Sequence, residues 1–445
     1  MNLSNPSDTA PTSRTDLGRF AAFVRANAEK GILCVQPRMG FSDFATMRRG
    51  LEAVRAADAM TIGTVTLDSF TRVNDHQSAR KATDAGEDLN GYPLVAYGAE
   101  TTRQLIDGII SSTFPVQVRH GSALPNEIFE TLLAAGIDAT EGGPISYCLP
   151  YSRVPLRRSI EAWATCCQLL AAEQGRGVIC HLESFGGCML GQLCPPSLLV
   201  ALTILEGIFF KRLGVGSISV SYAQQTNQTQ DLQAVAALRR LADQHLTEVD
   251  WHVVIYTYMG LFPNTLAGAE HILDESVELA VRSKSERLIV KTPAEAHRIP
   301  TIEENVASLE RAARVAEGTE RGQLDSQLEE TNSEIYEQAR YLVEMVLDLS
   351  DDLGDGLASA FEKGYLDVPF CLHPDNANAA RTYVDGAGAL QWGSLGRVPL
   401  PRSLVPAPAD PYRVDAMDLL RMLAYNQQRF DRGLPSRHTN ELEAH

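Results

Sequence analysis

The order of apolar and polar positions predicts short buried strands that alternate with amphipathic helices between about residues 30 and 300. Nine apolar stretches have strand character: GILCVQ, MTIGTVTL, PLVAY, PVQVR, IDAT, GVICHLE, SISVSY, HVVIYTY and RLIVKT. Between most of them lie helical patterns such as NEIFETLLAAG and LQAVAALRRLADQHL, whose apolar residues recur three and four positions apart. Alternation of this kind predicts parallel strands with helices packed outside them.

One of the nine stretches, PLVAY, is short and follows the Asn90-Gly91 turn signal, so it is predicted to be a loop. The other eight predict an α/β fold, a (β/α)8 TIM barrel that covers residues 21–310. A doubly wound open sheet is the alternative fold. No glycine-rich nucleotide-binding fingerprint supports it, because LGVGS at 213–217 is only a fragment of one and is typical of a surface turn.

The two ends of the chain differ from the barrel pattern. Residues 1–20 are mostly polar and are predicted to form a disordered leader. Residues 311–445 begin with charged helical patterns, continue through an irregular stretch rich in glycine and proline, and finish with the amphipathic pattern PYRVDAMDLLRMLAYNQQRF and a polar tail. Because the irregular stretch cannot form its own core, this C-terminal extension is predicted to pack on the barrel.

Composition and net charge limit the classes of partner and the cellular location that can be expected. The 445 residues carry a net charge of −17, which disfavours nucleic acid and anionic membranes as main partners. The longest apolar stretch, SLLVALTILEGIFF, contains Glu206 and is too short to span a membrane, so it predicts a buried helix. The eight cysteines show no C-x-x-C spacing, and no secretory signal is visible. We therefore expect reduced thiols and a cytoplasmic location.

In a TIM barrel, the chemistry lies at the carboxyl ends of the strands. The predicted strand ends supply a set of polar residues: Gln36, Arg38, Thr66, Asp68, Arg72, Arg119, His120, Glu141, Glu183, Tyr222, Tyr256, Tyr258 and Lys291. Three arginines from three strands therefore reach one face. Guanidinium groups bind carboxylates through two parallel hydrogen bonds, so spare arginines suggest an anionic substrate. Internal ion pairs with Asp68 or Glu141 are the alternative, and the sequence leaves both open.

The stretch EGGPISYCLPYSR, residues 141–153, combines a carboxylate, two glycines and two tyrosines. The glycines would let a ligand approach closely, and Glu141 could hold an ammonium group, act as a base or pair with a neighbouring arginine. Tyr147 and Tyr151 lie four positions apart and could line a pocket or simply pack.

Two further candidates have competing interpretations. His181 and Glu183 form an H-x-E pattern, but too few ligands accompany it, so no metal site is expected. Lys291 ends an apolar strand and could form a Schiff base, donate a hydrogen bond to a cofactor or serve as a rim cation.

Seven ordered stretches within residues 30–310 resemble one known family: QPRMG, LDSFTR, LNGYP, VRHG, EGGPISYCLPY, YMGLFP and IVKTPAEAHRIPT. They are similar to the epsilon subunit of glutamate mutase, also called methylaspartate mutase, the large catalytic subunit. The resemblance implies a TIM barrel and the radical rearrangement of L-glutamate to (2S,3S)-3-methylaspartate with adenosylcobalamin. That activity would make the chain an isomerase of amino-acid metabolism.

The resemblance also implies roles for particular residues. Those that would bind the substrate are Arg38, Arg72, Arg119, His120, Glu141, Tyr147 and Tyr151, with Arg119 and Glu141 central to catalysis. Those that would meet the cofactor are Gly40, Asn90, Pro150, Phe262, Lys291, Glu295 and Ile299. The chain departs from the family pattern in these stretches, and three of the departures are Pro144 and Cys148, where members often read EGGGISYN, and Leu182, where they read REPFG.

A partner is implied as well. A cobalamin domain of this kind carries D-x-H-x-x-G, and none of the ten histidines here has glycine three positions later. The resemblance therefore implies a separate small Rossmann-like cobalamin-binding subunit, with a homodimer of this chain inside a heterotetramer. Two alternatives remain: a Schiff-base lyase or aldolase that uses Lys291, and a non-catalytic paralogue that binds an amino acid.

Overall fold

A computed structural model describes residues 17–321, 333–405 and 414–432. Its main sheet has eight parallel strands: β1 Cys34–Pro37, β2 Gly63–Thr66, β3 Val116–Arg119, β4 Ala139–Gly142, β5 His181–Ser184, β6 Ser217–Ala223, β7 Asp250–Tyr256 and β8 Arg287–Val290. They pair in the order β1-β8-β7-β6-β5-β4-β3-β2. A parallel bridge between Val35 and Thr61 joins the two ends of this order and closes the barrel. The predicted (β/α)8 TIM barrel and its eight strands are confirmed.

Helices surround the strands and follow them along the chain. Through the barrel they are α1 Arg19–Glu29, α2 Phe44–Ala56, α3 Ser69–Arg72, α4 His76–Asp84, α5 Leu94–Ile106, α6 Asn126–Ala135, α7 Leu156–Glu173, α8 Pro196–Arg212, α9 Gln228–His245 and α10 Leu266–Arg282. Beyond it they are α11 Ile302–Gly318, α12 Glu334–Leu347, α13 Leu353–Lys363, α14 Ala416–Leu423 and α15 Tyr425–Asp431. Helix α8 is buried from Pro196 to Phe210, as the apolar stretch around Glu206 predicted.

The prediction of a loop at PLVAY was wrong, because this stretch begins helix α5. Pro93 precedes the first helical residue, a position where its fixed φ and missing N–H cost little. The helix is interrupted at Gly98, where φ is 78°. A short apolar run carries too little periodicity to separate a strand, a loop and the first turn of an interrupted helix.

The C-terminal extension packs on the barrel and includes an antiparallel hairpin, β9 Arg381–Val384 and β10 Leu390–Ser394. Val368, Trp392 and Leu400 belong to the same apolar cluster as the barrel core. The predicted final helix is divided at Ala424 into α14 and α15. No helix in the described ranges is both long and apolar enough to cross a membrane.

The leader prediction for residues 1–20 falls mainly outside the described residues. Its last two positions do not fit a disordered segment, because Arg19 and Phe20 belong to α1. Phe20 is almost fully buried, and apolar burial of that kind holds a helix in place. Its ring stacks on His181 at 4.4 Å between centroids, and His181 stacks on His252 at 5.0 Å.

The barrel interior below the strand ends is polar and closed. Arg287 on β8 forms an ion pair with Glu183 on β5, and both side chains have no solvent exposure. Arg287 Nη1 also donates to Gln36 Oε1 at 2.6 Å, and Gln36 Nε2 donates to Gln117 Oε1 at 2.7 Å. These side chains supply hydrogen-bond donors and acceptors to one another. We call Gln36, Gln117, Glu183 and Arg287 the barrel floor. The candidate site lies above this floor, towards the carboxyl ends of the strands.

Candidate active site

A cavity of about 260 Å³ opens at the carboxyl ends of the strands. Its lining residues are Arg38, Thr66, Ser69, Arg72, Val73, Arg119, His120, Gly121, Glu141, Tyr147, Tyr151, Phe185 and Met259. All seven residues that the sequence suggested for substrate binding are therefore brought together here. The strand register explains part of this, because Arg119 lies opposite Thr66 and Glu141 lies opposite Glu183.

Arg119 and Glu141 form a buried ion pair in the cavity wall. Arg119 Nε lies 2.7 Å from Glu141 Oε2. Glu141 also accepts hydrogen bonds from the hydroxyls of Tyr147 and Tyr256, the latter at 2.6 Å. Burial alone would raise the pKa of Glu141, but Arg119 and the two hydroxyls hold it below its ordinary value. The carboxylate is thus ionised and firmly oriented.

Arg72 lacks the partner that Arg119 has. Asp68 caps helix α3 by accepting from the amides of Phe70 and Thr71, so it does not pair with an arginine. Arg72 Nε donates to the carbonyl of Leu67 at 3.0 Å, and no carboxylate in the described ranges forms an ion pair with the guanidinium. Burial lowers the pKa of Arg72, and the nearby Arg38 and Arg119 add to this effect.

Arg38 links the cavity to a second polar group at the rim. Its Nη1 lies 2.9 Å from Glu295 Oε2, and Lys291 Nζ lies 3.9 Å from the same oxygen. The Lys291 ammonium also lies 4.7 Å from the centre of the Phe262 ring. Burial lowers the pKa of Lys291 to about 8, although Glu295 opposes the shift. Of the three predicted arginines, two are therefore paired with carboxylates and Arg72 is not.

His120 is a neutral hydrogen-bond donor that faces the cavity. Its Nδ1 accepts from the Ser122 amide at 3.1 Å, so the ring proton is on Nε2. Nε2 is buried and has no partner among the described residues. Burial lowers the pKa of His120 to about 3, with Arg72 contributing and Glu141 opposing. A buried donor without an acceptor is costly, so this position favours a ligand with an acceptor oxygen.

The glycines of the 141–153 stretch make room for internal groups, not for a ligand. A Cβ at Gly143 would lie 2.1 Å from the Glu206 carboxyl group. A Cβ at Gly142, where φ is 130°, would lie 2.5 Å from Trp163 and Tyr147. The expectation that these glycines admit a ligand was therefore wrong, because the space they leave is filled by the protein itself.

Glu206, on the buried helix α8, holds this loop in place. It accepts from the amides of Ile145 and Ser146 at 3.1 and 2.9 Å and from the hydroxyls of Ser146 and Ser184 at 3.0 and 2.8 Å. Burial raises its pKa to about 7, and the hydrogen bonds oppose the shift. Glu206 thereby positions the backbone that carries Tyr147.

The seven suggested cofactor residues lie outside the cavity lining, towards the rim. Lys291 contacts both Glu295 and Phe262, and Ile299 is 55% exposed. Pro150 borders a neighbouring cleft together with Tyr151. Asn90 Oδ1 accepts from the Ser69 amide at 2.9 Å. Gly40 is buried where a Cβ would lie 2.2 Å from the Thr66 carbonyl oxygen, so close packing alone requires glycine there.

The H-x-E pattern has other partners. His181 hydrogen-bonds with the hydroxyls of Ser217 and Ser219 at 2.8 and 3.0 Å, and Glu183 pairs with Arg287. Within the part of the chain that the structure describes, no cluster of three histidine, cysteine or acidic residues is arranged to hold a metal ion.

Sequence reasoning missed some of the site. It listed Tyr256 and Glu206 but gave neither a role, and it did not single out Phe185 or Met259, which line the cavity. Tyr256 ends a strand, and that position was the available signal. The three departures from the family pattern do not line the cavity: Leu182 and Cys148 are in the apolar core, and the Pro144 carbonyl accepts from Ser159 Oγ at 2.8 Å.

Comparisons with known proteins agree on one family. The family model described as methylaspartate mutase E chain matches residues 15–408. The chain is 32% identical over 403 residues to the glutamate mutase epsilon subunit of Yersinia enterocolitica, covering 86% of this chain and 82% of the relative. It is 34% identical over 370 residues to the same subunit of Halobacterium salinarum, covering 79% and 74%. A solved tryptophan synthase from M. tuberculosis aligns with 67% of this chain and all of its own at 12% identity and a TM-score of 0.35, too low to bear on function.

Proposed function

Because this chain belongs to the methylaspartate mutase E chain family, we propose that it is the catalytic subunit of an adenosylcobalamin-dependent glutamate mutase. The reaction would rearrange L-glutamate to (2S,3S)-3-methylaspartate. The family supports a glutamate mutase subunit. The choice of substrate and cofactor rests on the chemistry of the cavity and its rim.

The observation that carries the proposal is the surplus of cations in the cavity. Three arginines contribute to the lining, but the only carboxylate in it is Glu141, which pairs with Arg119. Arg72 has no carboxylate partner in the described ranges, and its pKa is lowered by burial. A substrate carboxylate would supply the missing charge through two parallel hydrogen bonds. L-Glutamate has two carboxylates, and the second would lie beside Arg38 and Arg119. These arginines already pair with Glu295 and Glu141, and each would use a further guanidinium N–H for the substrate.

The other lining residues suit the remaining parts of an amino acid. Glu141 is ionised and would accept the substrate ammonium group. His120 Nε2 makes no hydrogen bond of normal length to a described residue, although the Glu141 backbone lies close enough to oppose the lowering of the His120 pKa. It would donate to a substrate carboxylate. Tyr147 holds Glu141, and the half-exposed Tyr151 borders the opening. Together these groups would hold both ends of the substrate during a rearrangement and keep its fragments in register.

The rim residues fit adenosylcobalamin. Leu261 and Ile299 follow β7 and β8 and are 49% and 55% exposed, and Val73 after α3 is 68% exposed. Exposed apolar side chains of this kind suit a large ring system with apolar edges. The Lys291–Glu295 pair offers a donor and an acceptor beside them for a nucleoside. When bound, the cofactor would supply the radical chemistry, and the protein residues would bind, orient and shield the substrate.

The proposed partner is a small Rossmann-like cobalamin-binding subunit that covers the strand ends. The exposed apolar rim and the lack of a D-x-H-x-x-G motif in the sequence support it. Such an assembly would place the cofactor between the partner and the Pro150–Phe262–Lys291 side of the rim. A homodimer of this chain within a heterotetramer, and a cytoplasmic location, are proposed on the family resemblance alone.

The test is reconstitution. The purified chain, a small cobalamin-binding subunit and adenosylcobalamin are mixed with L-glutamate, and 3-methylaspartate is detected by proton NMR. We expect product only when all components are present. Full isomerisation by this chain without the subunit, or no product from the complete mixture with a partner shown to bind, would contradict the proposal. The exposed variant Arg157→Met, at a residue outside the cavity lining, is a control that should keep full activity.

A further inference from the structure

Tyr256 lies between the cavity and the barrel floor. It ends strand β7, and its side chain is fully buried. Its hydroxyl is 2.6 Å from Glu141 Oε2 on the cavity side and hydrogen-bonds with Glu183 on the floor side. Arg119 Nη2 is 3.4 Å from the same hydroxyl. The Tyr256 side chain therefore contacts two carboxylates, Glu141 and Glu183, which lie opposite each other on the neighbouring strands β4 and β5.

The floor side of this contact is rigid. Glu183 pairs with Arg287, whose guanidinium also donates to Gln36 at 2.6 Å and to Ser219 Oγ at 3.0 Å. A hydroxyl has one proton and can donate it to only one carboxylate at a time. Arg287 donates to Glu183 Oε2, but Glu183 Oε1 has the Tyr256 hydroxyl as its only donor among the described residues. The Tyr256 hydroxyl therefore lies between Glu183 Oε1 and Glu141 Oε2, and its single proton is shared between these two oxygens.

The two oxygens of Glu141 are used unequally. Oε2 accepts from Arg119 Nε and from the Tyr256 hydroxyl. Oε1 accepts from the Tyr147 hydroxyl and has no second donor among the described residues. A carboxylate oxygen accepts about two hydrogen bonds. Oε2 is therefore fully used, and Oε1 keeps one acceptor position for a ligand in the cavity.

We propose that Tyr256, supported by the Glu183–Arg287 pair, is a positioning residue that fixes Glu141 so that Oε1 receives the ammonium group of the substrate. This inference rests on the proposed function, since it assumes an amino acid in the cavity. Tyr256 does not touch the substrate. It determines which carboxylate oxygen is free, and so it contributes to selection for a substrate that carries an ammonium group.

A matched residue exists on the neighbouring strand. Tyr222 on β6 is also fully buried, and its hydroxyl also contacts a carboxylate, Asp231 Oδ1 at 2.8 Å. Asp231 is on helix α9, outside the barrel interior. Tyr222→Phe therefore removes the same chemical group from a similar environment without touching Glu141, and it serves as the control.

The experiment compares two ligands in the reconstituted enzyme: the KM for L-glutamate and the inhibition constant of glutarate, which has the same two carboxylates and no ammonium group. Tyr256→Phe should raise the KM for L-glutamate by about ten- to a hundredfold, the range expected for loss of a charge-assisted hydrogen bond. It should change the inhibition constant of glutarate by less than about threefold. The change in kcat should be smaller than the change in KM, as expected when ground-state binding is lost. Tyr222→Phe should leave both constants within about twofold on the same scale.

The inference is overturned if Tyr256→Phe keeps the wild-type KM, or if it weakens L-glutamate and glutarate equally. Should Tyr256→Phe fail to fold in a thermal melt, Arg287→Lys provides the same comparison. Lysine keeps the charge but cannot bind Glu183 Oε2 and Gln36 simultaneously, as the guanidinium does. Glu183 would then draw the shared Tyr256 proton away from Glu141, and selectivity for the ammonium group should fall. If wild-type enzyme shows no turnover of L-glutamate, the proposed function itself fails, and that result is distinct from a normal Tyr256→Phe variant.

Discussion

Two polar clusters lie in the same barrel, one above the other, and they differ in how completely they are satisfied. In the barrel floor, Arg287 and Glu183 pair without solvent exposure, and the amides of Gln36 and Gln117 complete the network. In the cavity at the strand ends, Arg72 has no carboxylate partner within the described residues. Both clusters are built from the same residue types, held by strands of the same sheet.

The difference shows that charge and burial alone do not identify a functional site. The floor also contains charged groups and is more buried, yet each of its main groups already has a protein partner, as expected for a network that fixes structure. In the cavity, the terminal N–H groups of Arg72 and the Nε2 of His120 have no hydrogen-bond partner among the described residues. Unused donors in a buried cavity are the feature that points to a ligand.

The largest expected effect is on stability, in the barrel floor. Arg287→Met would leave Glu183 buried without its counter-charge and should lower the free energy of unfolding by about 3–5 kcal/mol. Urea unfolding followed by circular dichroism measures this loss.

The double variant Arg287→Met with Glu183→Gln is the control for that prediction. Removing both charges should recover most of the lost stability, because the penalty comes from the unpaired carboxylate. A single variant as stable as the wild type would show that the floor is not a closed ion-pair network.

An arginine-to-methionine substitution in the cavity should have the opposite effect, with little loss of stability and a large loss of activity. Arg72→Met removes a half-buried cation that has no carboxylate partner among the described residues, so the free energy of unfolding should stay the same or rise. Transition-state binding of L-glutamate should fall by about 3 kcal/mol, or more than a hundredfold in kcat/KM. Steady-state kinetics and urea unfolding on one preparation separate the two effects. Reduced stability together with normal kinetics would assign Arg72 to structure.

A smaller loss of activity is expected from a substitution that keeps the positive charge at Arg119 but changes the geometry of its hydrogen-bond donors. Arg119→Lys keeps the positive charge beside Glu141 but loses the planar fork. The expected cost is on the order of 2–3 kcal/mol, or roughly a hundredfold in kcat/KM, with the fold intact. Turnover within about twofold of the wild type would rule out a carboxylate clamp at this position on the same scale.

The smallest effect concerns Glu206, which supports the cavity wall from behind. Its pKa is raised by burial from 4.5 to about 7, so its stabilising contribution is complete below pH 4.5 and is lost as the pH rises to about 7. Glu206→Gln cannot ionise and resembles the protonated acid. Relative to the wild type, the variant should therefore gain stability between these pH values, by at most about 1.4 kcal/mol per pH unit.

Urea unfolding of both proteins at several pH values between 5 and 8 measures this difference. Glu161→Gln, an exposed change on α7, is the control and should give a pH profile parallel to the wild type. A Glu206→Gln profile that also runs parallel to the wild type would mean that Glu206 is ionised throughout.

Much of the fold could be predicted because eight buried strands leave eight apolar runs, and strand ends fix which residues meet at one face. That rule predicted that Arg38, Arg72 and Arg119 lie at one face of the barrel. The partner of each arginine could not be predicted, because spacing along the chain does not reveal that Asp68 caps α3 or that Glu295 reaches Arg38 from after β8. The role of Glu206 was also hidden, since its contacts lie between 22 and 61 residues away in the chain.

A calorimetric titration of the intact chain with L-glutamate tests most directly whether Arg72 binds a substrate carboxylate. We expect one L-glutamate bound per chain, with affinity lost in Arg72→Met and kept in Arg157→Met, because the exposed Arg157 guanidinium pairs with Asp355 and Glu362. If Arg72→Met binds L-glutamate as tightly as the wild type does, Arg72 does not bind a substrate carboxylate.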